Sequence, residues 1–119
     1  MMQGSLAGCD SWFQHPGIEL SAHYGIGRKG EIHQYVLNTM VAYHAGSREW
    51  NEKSIGIEFA GLYPGKITEA QIESGVWLLG KINTVRELRR HSDVNPAKPQ
   101  CPGLDFPFNE IEYKWRSPR

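Results

Sequence analysis

His91 and Cys101 stand ten residues apart, at the two ends of the run "HSDVNPAKPQC". Pro96, Pro99 and Pro102 stiffen the connecting loop and lower the entropy lost when it is fixed. Gly103 lets the chain turn sharply just beyond the cysteine. Imidazole and thiolate are both zinc ligands, and a catalytic zinc takes three protein ligands and a water. The pair also fits a plainer reading, a surface histidine and an inert buried cysteine. Glu58 is the other chemically loaded position. It interrupts the apolar run "SIGIEFAGL", and a carboxylate is costly to bury there. Its same-face neighbours Gly56 and Ala60 are small, as on the floor of a cleft. A solvent-facing acid on an edge strand fits the pattern equally well.

The remaining histidines, His15, His23, His33 and His44, have no diagnostic spacing. His44 lies in "AYHAG", a loop expected to approach a site. Tyr43 and Trp50, in polar surroundings, are candidates for stacking on a substrate. Trp12, Phe13, Trp77 and Trp115 are expected in the core.

These residues need a frame. "DSWFQ" reads as a short helix capped by Asp10 or Ser11 and ended by Pro16-Gly17. "SAHYGIG" and "EIHQYVL" read as a hairpin about "RKG", with Gly30 supplying a positive φ. "NTMVAYHAGSREWNEK" has no sustained period and reads as a loop. "SIGIEFAGL" alternates, with Ile55, Ile57 and Phe59 on one face. "TEAQIESGVWLLGKI" reads as a helix opened by a Thr68/Gln71 capping box, with Ile72, Val76, Leu79 and Ile82 at helical spacing. "ELRRHSDV" reads as a further strand or extended segment. A closing helix starts after Pro107, with Phe108, Ile111 and Trp115 on one side. The expected class is α/β with a small mixed sheet flanked by helices.

A chain of 119 residues is one domain, residues 1–119. Its 13 basic and 13 acidic residues cancel, which argues against a mainly electrostatic grip on nucleic acid or an anionic membrane. No apolar run approaches the roughly 20 residues needed to span a bilayer. The first residues carry no basic n-region and no apolar h-region, so a signal peptide is not expected and a cytoplasmic location is. Cys9 and Cys101 cannot make a disulfide framework.

Taken in order, "SAHYGIGRKGEIHQYV", "AYHAG", "NEKSIGIEFAG", "RRHSDV" and "CPG" resemble the zinc-dependent N-acetylmuramoyl-L-alanine amidases. That group includes phage amidase endolysins, muropeptide-recycling amidases and peptidoglycan recognition proteins. The resemblance runs over about residues 3 to 108, and the opening segment is most similar to phage endolysin amidase domains. It implies a central mixed sheet with a shallow groove carrying Zn2+. His91 and Cys101 would be the second and third zinc ligands, and Glu58 the general base. His44 would line the groove. The family's lysine two residues before the third ligand is Pro99 here. Lys98, one residue further back, either reaches in on its flexible stem or that charge is lost. The implied substrate is peptidoglycan or a muramyl peptide, cut between N-acetylmuramic acid and L-alanine. If the chain is a phage lysin, it would act from the host cytoplasm.

The resemblance also places the family's first zinc-ligand histidine immediately before Met1. The first strand is therefore expected to be missing and the zinc site incomplete. Two further readings follow: a non-catalytic muramyl-peptide-binding module, or an interaction protein that pairs through an exposed sheet edge.

Overall fold

The computed structural model describes residues 2–3, 22–42, 48–61, 65–82, 84–94 and 102–117. Within them, four strands form one sheet: β1 (Met2–Gln3), β2 (Tyr24–Ile26), β3 (Ile32–Gln34) and β4 (Ile57–Gly61), in the spatial order β1-β4-β2-β3. β4 runs parallel to both β1 and β2, and β2 and β3 are antiparallel. The helices are α1 (Arg48–Lys53), α2 (Glu69–Lys81), α3 (His91–Val94) and α4 (Phe108–Arg116). The mixed α/β class expected from the pattern is the one observed.

The hairpin forms because its turn can. Gly27 N–H donates to the Glu31 carbonyl at 2.8 Å and Gly30 N–H to the Gly27 carbonyl at 2.9 Å. Gly30 takes φ 89°, a conformation that carries little cost only without a Cβ. The turn is also pinned to α2. Thr68 Oγ1 donates to the Arg28 carbonyl and Ser74 Oγ to the Gly30 carbonyl, each at 2.6 Å.

α2 begins with the expected capping box. The Thr68 hydroxyl accepts from Gln71 N–H at 3.2 Å, and Gln71 Oε1 accepts from Thr68 N–H at 2.8 Å. Gln71 does more than cap. It is fully buried, and its Nε2 donates to the carbonyls of Ile26 on β2 and Ala60 on β4. The helix lies close on the sheet because Gly75 faces the Phe59 ring, where a Cβ would stand 3.1 Å from Cζ. Ile26, Phe59, Ile72, Val76, Leu79 and Ile111 make the centre of the core. Burying such side chains stabilises a fold by roughly 1.5–3 kcal/mol each before entropy is counted.

Four expectations change. Part of the stretch read as a loop is helical: α1 forms over Arg48–Lys53, with Asn51 buried and a Glu49–Lys53 pair at 2.8 Å. Polar i,i+4 pairing supplied no apolar period to read. "ELRRHSDV" adds no strand to the sheet. The chain reaches Arg90 without helix or strand and then makes the single turn of α3. Asp93 Oδ2 accepts from Arg90 N–H at 2.9 Å and closes that turn. The first strand, expected to be missing, is present as the two residues Met2 and Gln3, which pair with Ala60 and Gly61. Trp77, expected in the core, is 53% exposed. The expected "DSWFQ" helix lies outside the described residues.

Candidate active site

β4 sits between β1 and β2, so Glu58 is on an interior strand and half-buried. That removes the edge-strand reading. Gly25 of β2 is its direct cross-strand partner, and neighbours across a strand pair share a face. Glu58 therefore has Gly56 and Ala60 along its strand and Gly25 beside it. The clearing is wider than the sequence of one strand reveals. Gly25 was missed because the pairing that puts it there is set by register, which "HYGIG" alone does not disclose.

The start of β4 is anchored by His23, which is 1% exposed. Its Nδ1 accepts from Gly56 N–H at 3.1 Å, and its Nε2 lies 2.7 Å from the Met40 carbonyl. Those partners define the tautomer with hydrogen on Nε2. His23 is thus a structural tie between β2, β4 and the segment after β3.

His91 opens α3, where Arg90 and Asp93 fix the turn. The preceding segment is tethered by α4, since Arg116 Nη2 donates to the Arg86 carbonyl at 3.1 Å. The following segment is set against Gly65, whose φ is 112°. A Cβ there would meet the Pro102 carbonyl at 2.7 Å. Phe106 then seats edge-on against Phe59 at 5.2 Å.

These constraints bring one cleft together. A cavity of about 500 Å³ is lined by Glu58, Arg90, His91, Pro102 and Phe108, among others. Glu58 and His91, 33 positions apart in the chain, share it. Pro102, the residue after Cys101, lines it as well. Cys101, His44 and Lys98 lie outside the described residues, as does Tyr43. Trp50 is on α1.

A family profile for N-acetylmuramoyl-L-alanine amidases matches residues 2–104. The chain belongs to that amidase family. N-acetylmuramoyl-L-alanine amidase A of Achromobacter lyticus is 37% identical over 75% of this chain and 45% of its own length. The 1,6-anhydro-N-acetylmuramyl-L-alanine amidase AmpD of Enterobacter cloacae is 34% identical over 79% of this chain and 56% of its own. The chain thus spans about half the length of these relatives. Among solved structures, a selenomethionine derivative of AmpD aligns with a TM-score of 0.73 at 29% identity, covering 82% of this chain and 61% of that one. The amidase LysC of Clostridium intestinale aligns with a TM-score of 0.69 at 28% identity, over 93% of this chain and 73% of that one.

The donor chemistry of the cleft suits the family's metal. His91 supplies an imidazole, and a carboxylate stands in the same cavity. Among the described residues no group of three or more His, Cys, Asp or Glu side chains that could hold a metal ion is gathered.

Proposed function

We propose that this chain is the amidase domain of a peptidoglycan hydrolase that cleaves the amide between N-acetylmuramic acid and the L-alanine of the stem peptide. The observation that carries the reading is the convergence of Glu58 and His91 on one cleft in a chain of this family. His91 and Cys101 would hold zinc, which when bound polarises an amide carbonyl and makes water a nucleophile at neutral pH. The chain's own residues do the rest. Glu58, flanked by the small residues Gly25, Gly56 and Ala60, would meet a water in the cleft it lines. It takes the proton of that water and returns it to the nitrogen of the leaving alanine. The core face of β4 holds Ile57 and Phe59 against α2, which fixes the carboxylate relative to the cleft wall. Lys98 would add positive charge on the substrate side.

Similarity to LysCS, an endolysin amidase of Clostridium intestinale, supports a wall-lysing role of the endolysin kind. The test is digestion of purified peptidoglycan with and without added zinc. Expected products are stem peptides with a new amino-terminal alanine, released only with metal. Binding to the wall without any release would replace this reading with that of a muramyl-peptide-binding module.

A further inference from the structure

Arg90 precedes His91 and lines the same cleft. It is half-buried, and its guanidinium lies over the Phe108 ring, 4.1 Å from the centroid. Its neighbours are already engaged. Arg89 pairs with Glu87 at 3.2 Å, and Arg116 sits 3.8 Å from Glu112 and over Trp115. Among the described residues none offers a carboxylate to the Arg90 guanidinium, since Asp93 takes only its backbone N–H. A guanidinium stacked on one ring face keeps its in-plane N–H donors free. That fork fits a carboxylate bidentately, and the stacking restrains it before the ligand arrives.

We infer that Arg90 is a substrate-binding residue that pairs with a free carboxylate on the peptide half of the substrate. The inference rests on the amidase reading above. The scissile amide divides a sugar half, which offers hydroxyl and N-acetyl groups, from a peptide half, which carries the carboxylates. Adjacent α-carbons lie about 3.8 Å apart, so Arg90 stands next to the expected metal ligand. It therefore serves a carboxylate near the scissile bond rather than one at the far end of a long peptide. The cavity wall agrees in sign: Lys53, Arg86, Arg89 and Arg90 line it against Glu58 and Glu87.

The test is calorimetric binding of N-acetylmuramoyl tripeptide to the full chain, in its free-acid form and with its carboxylates amidated. The unaltered chain should prefer the free acid by about tenfold or more. Arg90→Met should bind both forms with the affinity of the amide. Arg90→Lys should recover only a small part of the preference, because a point charge cannot form the planar fork. Equal binding of both forms by the unaltered chain overturns the inference and leaves the amidase reading standing. So does an equal loss of both forms in a folded Arg90→Met, which would make Arg90 a packing residue. If neither form binds the unaltered chain, the amidase reading fails and this inference with it. Should Arg90→Met not fold, the Arg90 Nε–H resonance of the unaltered chain decides. It should shift with the free acid and stay still with the amide, and the reverse would overturn the assignment.

Discussion

Glu58 and His23 differ in role although both sit at the β2–β4 junction. Glu58 faces a clearing, and His23 is spent on structure. Replacing Glu58 by glutamine keeps its size and hydrogen-bonding capacity but removes the proton acceptor. Wall digestion by Glu58→Gln should fall about 10²–10⁴-fold, with melting temperature and wall binding nearly unchanged. Digestion at the unaltered rate would remove Glu58 from the mechanism. His23→Leu should behave in the opposite way. It strands the buried Gly56 N–H, at a cost of roughly 1–3 kcal/mol, and removes the imidazole partner of the Met40 carbonyl. Denaturant unfolding should show that loss, while a metal titration of the remaining folded protein should be little altered. "SAHYGIG" gave no means to separate these two fates. A histidine opening a strand looks the same whether its nitrogens meet a ligand or two backbone groups, and the partners lie 17 and 33 residues away.

At the scale of elements, α2 was readable because its signals are local. Thr68 and Gln71 are three residues apart, and Ile72, Val76 and Leu79 repeat at helical spacing. What the spacing could not show is that Gln71 also reaches the carbonyls of Ile26 and Ala60. The two variants at this cap should therefore differ. Thr68→Ala removes a cap and the tie to Arg28, and should cost about 1–2 kcal/mol. Gln71→Glu retains the acceptor for Thr68 N–H but, when ionised, turns a buried donor to two carbonyls into an anion facing them. It should cost more, roughly 3 kcal/mol. Chemical denaturation of both variants would check the order, and a smaller loss for Gln71→Glu would mean that the bridge between β2 and β4 contributes little. The segment from Val85 to Val94 escaped sequence reading for the opposite reason. Leu88 and Val85 pack on the core without a strand partner. The turn that aims His91 depends on the reciprocal hydrogen bonds between Arg90 and Asp93, too short a signal to outweigh the β-like look of "ELRRHSDV".

For the whole molecule, the register of β1 against β4 decides where a further ligand would stand. Met2 pairs with Ala60 and Gln3 with Gly61. Carrying that offset two residues back sets the position immediately before Met1 beside Glu58. Partners in a parallel pair share a face, so a histidine there would project toward the same clearing as the carboxylate. An extension that continues β1 with about five apolar or β-branched residues and ends in that histidine should raise zinc affinity and wall digestion together. The apolar requirement follows from the stretch it would pair with at the start of β4, where Ile55 and Ile57 pack against the core. The register is strict, because a shift of one residue carries the imidazole to the other face of the sheet. Zinc that binds only the folded chain stabilises it, by about 4 kcal/mol at a thousandfold excess over Kd. A thermal melt with and without metal should therefore separate the histidine extension from the same extension ending in alanine. The alanine form should gain packing from the longer strand but no metal-dependent rise in melting temperature. If the two extensions bind zinc equally, the clearing around Glu58 is not the metal face, and His91 must be serving a different part of the cleft.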